Sequence, residues 1–248
     1  MRIKILGTQA PFQTNGRKGI GYLVTTKDGN FMLDAGSGSH SGLTFEDYEK
    51  LSLILSHGHF DHVADVNNIL YAAVTLKINR IVPVNLSIYL PKEYDEILED
   101  RMVTKTVKAN KLANIVRYSS ETKFSVGNTE ITFLKTSHSE DSYAIKITED
   151  NKSVGYTGDI SPEDIGICAE FFKDIDLIIS ECSLAQDYPR QLPHMRPLDC
   201  TNLKNLSGAK RMLLTHFYPR QQEEEYAKVC LQHTDNVQIA YEGMIIDL

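Results

Sequence analysis

His57-Gly58-His59-Phe60-Asp61-His62 gathers four metal-capable side chains into six residues, directly after the mostly apolar run Leu51-Ser52-Leu53-Ile54-Leu55-Ser56. Such a run suits a buried strand, so the cluster falls where a strand ends and a loop begins. Loop positions carried by a rigid scaffold are where polar side chains can converge. His57 and His59, two apart in extended backbone, project toward one point. Asp61 and His62 sit on the following turn and can serve a second point a few ångströms away. Imidazole nitrogen and carboxylate oxygen suit zinc and its borderline neighbours.

Outward from this cluster, three further residues occupy the same kind of place. His138 follows the alternating segment that begins Glu130-Ile131-Thr132-Phe133-Leu134, and His216 follows Arg211-Met212-Leu213-Leu214-Thr215. Asp159 follows Val154-Gly155-Tyr156-Thr157-Gly158. Each stands just beyond an expected strand end. An acid such as Asp159 can bridge two ions about 3.5–4 Å apart and leave room for a shared hydroxide.

The rest of the chain supplies the frame. Strands are expected at 2–6, 20–26 and 30–34, a helix over 63–76, and a strand at Tyr143-Ala144-Ile145-Lys146-Ile147. Residues 93–112, rich in Lys, Glu and Asp, read as a helical or irregular surface insertion. Ser161-Pro162-Glu163-Asp164 has the order of a helix start, with a Ser cap, Pro first and acids in the first turn. Strands return at 175–180, 211–215 and 237–240, with helical patterns between them. No Pro-, Gly- or Ser-rich linker and no short repeat divides the sequence, so residues 1–248 read as one domain. Two β-rich halves packed face to face with helices outside satisfy this order.

Composition narrows the classes. No stretch reaches about 18 consecutive apolar residues, which argues against a membrane span, and Met1-Arg2-Ile3-Lys4-Ile5-Leu6-Gly7 reads as a first strand rather than a signal peptide. Cys168, Cys182, Cys200 and Cys230 are widely spaced with no C-x-x-C pair, the pattern of reduced, buried thiols in a cytoplasmic protein. The net charge of −7 argues against broad binding to nucleic acid. Two bound divalent cations would still reverse that sign inside the site.

In its order of motifs the sequence resembles the metallo-β-lactamase superfamily over nearly its whole length: the H-x-H-x-D-H run at 57–62, then His138, then Asp159 in Tyr156-Thr157-Gly158-Asp159, then His216. The resemblance implies an α/β fold, an αββα four-layer sandwich with its site on one rim. It also implies two divalent metal ions, zinc with manganese or iron as alternatives. His57, His59 and His138 would hold the first, Asp61, His62 and His216 the second, and Asp159 would bridge.

Three features are similar to the ribonuclease Z branch and its phosphodiesterase relatives: Leu6-Gly7-Thr8 with Phe31-Met32-Leu33-Asp34-Ala35-Gly36-Ser37-Gly38, then Ile179-Ser180-Glu181-Cys182-Ser183 followed by His194, then Leu214-Thr215-His216-Phe217-Tyr218-Pro219-Arg220. That likeness makes His194 the group acting on the leaving oxygen, oriented by Glu181, with Asp61 taking a proton from the attacking hydroxide. Arg17 or Arg220 would hold a phosphate. Two departures matter. Only twenty residues separate His138 from Asp159, so the long arm that grips transfer RNA in that branch is absent and transfer-RNA maturation is disfavoured. Met195-Arg196 also stands where small hydroxyl residues are usual.

The expected function is hydrolysis of a small phosphodiester, a cyclic nucleotide or a short nucleic acid. The alternative is a carbonyl substrate: a thioester, lactone or β-lactam. Against it, His138 lies in Thr136-Ser137-His138-Ser139 and no cysteine takes a ligand position. A redox role is weaker, because His59 stands where the iron-carrying branch has Glu. A non-enzymatic scaffold is disfavoured by the full set of seven ligands. The likeness allows a homodimer.

Overall fold

Strands whose two faces are both covered read as apolar runs, and those with one polar face alternate. Both kinds occur here, and they assemble into two seven-stranded sheets. In the computed structural model the described residues are 1–94, 112–219 and 223–248, with backbone alone at 103–104 and 107–108.

In chain order the first half carries β1 (Arg2–Gly7), β2 (Gly21–Thr25), β3 (Asn30–Leu33) and β4 (Leu51–Ile54), then α1 (Phe60–Val63), α2 (Val66–Ile78) and β5 (Leu86–Pro91). A small separate pair follows, β6 (Val103–Thr104) and β7 (Val107–Lys108), and then β8 (Asn114–Tyr118). The second half carries β9 (Lys123–Val126), β10 (Thr129–Lys135), β11 (Tyr143–Glu149), β12 (Lys152–Tyr156), α3 (Ile165–Phe171) and β13 (Leu177–Glu181). It ends with α4 (Pro197–Ser207), β14 (Arg211–Thr215), α5 (Glu223–Leu231), β15 (Val237–Ile239) and β16 (Ile245–Asp247).

The sheets run β16-β1-β2-β3-β4-β5-β8 and β15-β14-β13-β12-β11-β10-β9. Each is antiparallel in its first strands and turns parallel afterwards: β3, β4, β5 and β8 run together, as do β12, β13, β14 and β15. The core has three layers. Phe31, Ile54, Ile145 and Ile179 meet between the sheets. Leu53, Leu70 and Ile88 pack under α2, and Ile178, Leu203 and Leu214 pack against α3 and α4. β4 is thus covered on both faces, which is why its sequence does not alternate. This is the expected αββα sandwich.

Local details depart from expectation. β4 ends at Ile54 instead of Ser56, and the helix expected at 63–76 arrives in two pieces. The break has a cause: Ala35 donates its N–H to the His62 carbonyl and accepts the Asp65 N–H, diverting helix bonds to the loop after β3. Gly36 makes that approach possible, since a Cβ there would lie 2.5 Å from the Asp61 carbonyl oxygen. Four strands lie where none was expected: β5, β16 and the short pair β6 and β7, which falls in the stretch read as a helical or irregular insertion. β5 is short and closes on Pro91, and Leu86, Ile88 and Leu90 point into the α2 layer while Tyr89 points between the sheets. Ser161 opens a 3₁₀ turn over Pro162–Asp164 that leads into α3, and Asp164 accepts the Ser161 N–H at 3.0 Å. The charged stretch 93–112 lies largely outside the described residues. All four cysteines are buried and free.

Candidate metal centre

The carboxyl ends of strands from both sheets share one rim. β4 delivers the loop 57–62, β10 delivers His138, β12 delivers Asp159 and β14 delivers His216. The histidine run 57–62 thereby meets residues about 80 to 160 positions later in the chain.

Their polar atoms divide into two sets around Asp159. Asp159 Oδ2 lies 3.9 Å from His57 Nε2 and 3.6 Å from His138 Nε2. His138 Nε2 is also 3.2 Å from His59 Nδ1. Asp159 Oδ1 lies 3.4 Å from His62 Nε2 and 3.0 Å from His216 Nε2. Asp61 Oδ2 completes that second set, 3.8 Å from His62 Nε2 and 3.6 Å from His216 Nε2. Bonds of about 2.0–2.2 Å to a tetrahedral cation put neighbouring donors roughly 3.3–3.6 Å apart, so each set has the spacing of a coordination shell. The two oxygens of one carboxylate face different sets.

Two atoms carry the fit test. His57 Nε2 and Asp159 Oδ1 are buried and hydrogen-bond to nothing among the described residues. Oδ1 is near two imidazole nitrogens but not in hydrogen-bond geometry with either. Leaving such atoms buried and unpaired costs roughly 1–3 kcal/mol each, and a cation removes that cost.

Behind the donors stands a second row of partners. Asp34, fully buried, takes the His62 Nδ1–H at 2.7 Å, the Tyr156 hydroxyl at 2.7 Å and both the Ser56 N–H and hydroxyl. Its φ of 56° is left-handed, a conformation an aspartate tolerates better than most residues. His138 donates Nδ1–H to the Pro193 carbonyl at 2.8 Å, and the Ser183 hydroxyl lies 2.7 Å from His216 Nδ1. These bonds fix each ring so that its other nitrogen points at the centre. His216 also has a positive φ, 61°. Its neighbour Phe217 is clamped by backbone bonds to Thr8 and Ala10, which fix the main chain beside it.

Electrostatics agree with this division of labour. Burial, reinforced by the neighbouring His62, pushes His57 well below the ordinary imidazole value, which keeps it a neutral donor. Burial alone would also lower His194. The Glu181 carboxylate overcomes it, with Asp159 adding to the effect, and holds His194 up at about 9. His194 Nδ1 is 3.0 Å from Glu181 Oε1 and 3.8 Å from Asp159 Oδ2. Glu181 also accepts from the Ile160 N–H at 3.0 Å and the Ser183 hydroxyl, so it serves His194 and His216 together.

The structure thus brings His57, His59, Asp61, His62, His138, Asp159 and His216 together, with His194 and Glu181 at their edge. The Arg17 guanidinium is paired with Glu223 and donates to the Thr8 hydroxyl at 2.7 Å. Arg220 lies outside the described residues. Sequence reasoning missed the parts played by Asp34, Ser56, Tyr156, Ser183 and the Pro193 carbonyl. Asp34 carried a usable signal, because it follows an apolar strand as the ligands do.

The profile of the beta-lactamase superfamily domain matches residues 30–217, which hold every donor named above. The chain belongs to the metallo-β-lactamase superfamily. A probable metallo-hydrolase of Bacillus subtilis (strain 168), YhfI, is 32% identical over 221 residues, covering 87% of this chain and 86% of that one. The crystal structure of YhfI superposes with a TM-score of 0.87 at 27% identity, over 99% of this chain and 98% of that one. Human tRNase Z, short form, gives 0.72 at 18% identity over 100% and 99% of the two chains, and a diphosphatase of the PhnP family gives 0.76 at 15% over 100% and 97%. These last two share the fold. The chain is a metallo-hydrolase of the superfamily, with donor sets able to hold metal.

Asp34 is the outer partner with the most bonds. Asp34→Ala is expected to weaken cation binding about 10–100-fold through a loosened His62. It should also lower stability by several times the roughly 1–3 kcal/mol of each stranded donor. Competitive chelator titration reads the first effect and urea unfolding the second. An unchanged affinity would show that His62 needs no such anchor.

Proposed function

We propose that the protein is a phosphodiesterase using two divalent cations, zinc or alternatively manganese or iron, and acting on a small phosphodiester, cyclic nucleotide or short nucleic acid. The observation that supports it is the pair His194–Glu181 beside a doubly faced Asp159.

A pair of divalent cations supplies, when bound, an acidified water nucleophile and neutralises charge on phosphoryl oxygens. The protein's own residues do the rest. With Nδ1 committed to Glu181, His194 has its second proton on Nε2, where it can be handed to a departing alkoxide. Glu181 keeps the ring oriented and charged. Asp61, in the second set, is placed to take the proton released by the nucleophile. The setting of His138 in Thr136-Ser137-His138-Ser139 and the lack of a cysteine among the candidate ligands favour a phosphodiester over a carbonyl substrate.

The His138–Asp159 segment supports a small substrate. β11 and β12 form a hairpin closed by Asp150 and Asn151, with no room for an arm. No helix among the described residues is long and apolar enough to cross a membrane.

The test is a parallel assay of protein reconstituted separately with zinc and with manganese, on bis(p-nitrophenyl) phosphate, a homoserine lactone and nitrocefin. Turnover of the phosphodiester well above both carbonyl substrates is the expected result. Faster turnover of the lactone or nitrocefin would overturn the proposal.

A further inference from the structure

One residue that departs from the branch the sequence resembles takes no part in the proposed chemistry. Arg196 occupies a position where small hydroxyl side chains are usual, and its guanidinium is turned inward. Nη2 donates to the Tyr188 carbonyl at 3.2 Å and to the Arg190 carbonyl at 3.1 Å, while Nε is buried with no partner among the described residues. The main chain of Arg196 is fixed independently: its N–H donates to Asp199 Oδ2 at 3.0 Å, at the start of α4.

The loop spanned by that side chain runs between the end of β13 and α4. Its neck is closed by Leu184 N–H donating to the Met195 carbonyl at 3.1 Å. Near its far end two neighbours in sequence reach the metal centre in different ways. The Pro193 carbonyl accepts from His138, and the His194 ring bonds Glu181. One rigid unit therefore sets both a ligand of the first donor set and the proton donor.

We infer that Arg196 is a positioning residue: it ties the loop's far backbone to the start of α4, so that Pro193 and His194 are held on His138 and Glu181 at the same time. This rests on the proposed roles of His138 and His194. A hydroxyl at this position could not span to either carbonyl. A small side chain here would remove the bonds to the Tyr188 and Arg190 carbonyls and leave the end of the loop held by His138 on Pro193 and Glu181 on His194. A displacement of about 1 Å at a reacting group can cost on the order of 10²-fold in rate, so a brace on this loop has a measurable consequence.

The experiment compares Arg196→Ala with Arg196→Lys in the zinc-reconstituted full chain. The lysine ammonium keeps the charge and can still donate to two carbonyls. For Arg196→Ala the expected result is a kcat loss of about 10–100-fold with KM near wild type. One of the two cations should also bind about 10–100-fold more weakly, by chelator competition. Arg196→Lys should recover most of both. In a His194→Ala background, Arg196→Ala should cost little further turnover yet still weaken the cation, because only one of its two outputs remains. The cation readout needs no substrate, so it stands even if the phosphodiester reading fails. Unchanged kcat and cation affinity in Arg196→Ala would overturn the inference, as would equal losses in the alanine and lysine variants. If Arg196→Ala does not fold, Arg196→Gln, which keeps an N–H donor on a shorter arm, takes its place with the same criteria.

Discussion

Asp159→Ala is expected to empty both cation positions in one step and to reduce hydrolysis to the background of the uncatalysed reaction. The reason is geometric. Oδ2 faces His57 and His138 while Oδ1 faces His62 and His216, so one carboxylate serves both sets. Losing an outer partner of a ligand weakens a metal by about 10–100-fold, and losing a carboxylate shared by two ions must exceed that for each. The removed charge adds to the effect, because the site then holds five imidazoles against the single carboxylate of Asp61. Metal analysis after dialysis should fall from near two ions per chain toward none. His216→Ala provides the contrast, since it touches only the second set and should leave the first ion bound. If Asp159→Ala retained two ions, the bridging role would be wrong.

The second large effect concerns proton transfer. His194→Ala should leave metal content near wild type, because its Nδ1, 3.8 Å from Asp159 Oδ2, is taken up by Glu181. Turnover should fall by about 10²–10⁴, the range for loss of a general acid. The pH profile gives an independent check, and its sign is fixed. His194 is raised to about 9 by Glu181 and Asp159 against the opposing effect of burial. The competent, protonated form is therefore present at neutral pH and is lost as pH rises through that value. Cations beside Asp159 push the midpoint lower. Wild-type activity should decline on the alkaline side at or below about pH 9, and His194→Ala should lack that decline. A variant with wild-type turnover, or with the same alkaline limb, would remove His194 from the chemistry.

The donors were legible in the sequence because each follows a strand that is itself easy to read. Leu51-Ser52-Leu53-Ile54 and Arg211-Met212-Leu213-Leu214-Thr215 are covered on both faces, so apolar content alone marks them and the next polar residue stands out. The outer partners were harder. Tyr156 is an ordinary strand tyrosine until the sheets meet and bring its hydroxyl to Asp34, 122 positions earlier. The Pro193 carbonyl is main chain and leaves no trace in residue identity. Arg17 has a partner that its sequence position hides. It pairs with Glu223, 206 positions away, a contact that only the folded chain brings about. β5 escaped notice for a third reason, since a six-residue strand with serine at its second position carries too little pattern to separate from a loop.

One consequence follows from where the donors come from. His57, His59, Asp61 and His62 belong to the first sheet's rim, whereas His138, Asp159 and His216 belong to the second. A cation gripped by both groups fastens the two halves of the sandwich at one edge, so filling the site resists their separation by RT ln(1 + [L]/Kd). Scarcity of metal would then register as mechanical looseness along that edge, with amide protons near the rim exchanging faster than those at the opposite ends of the same strands.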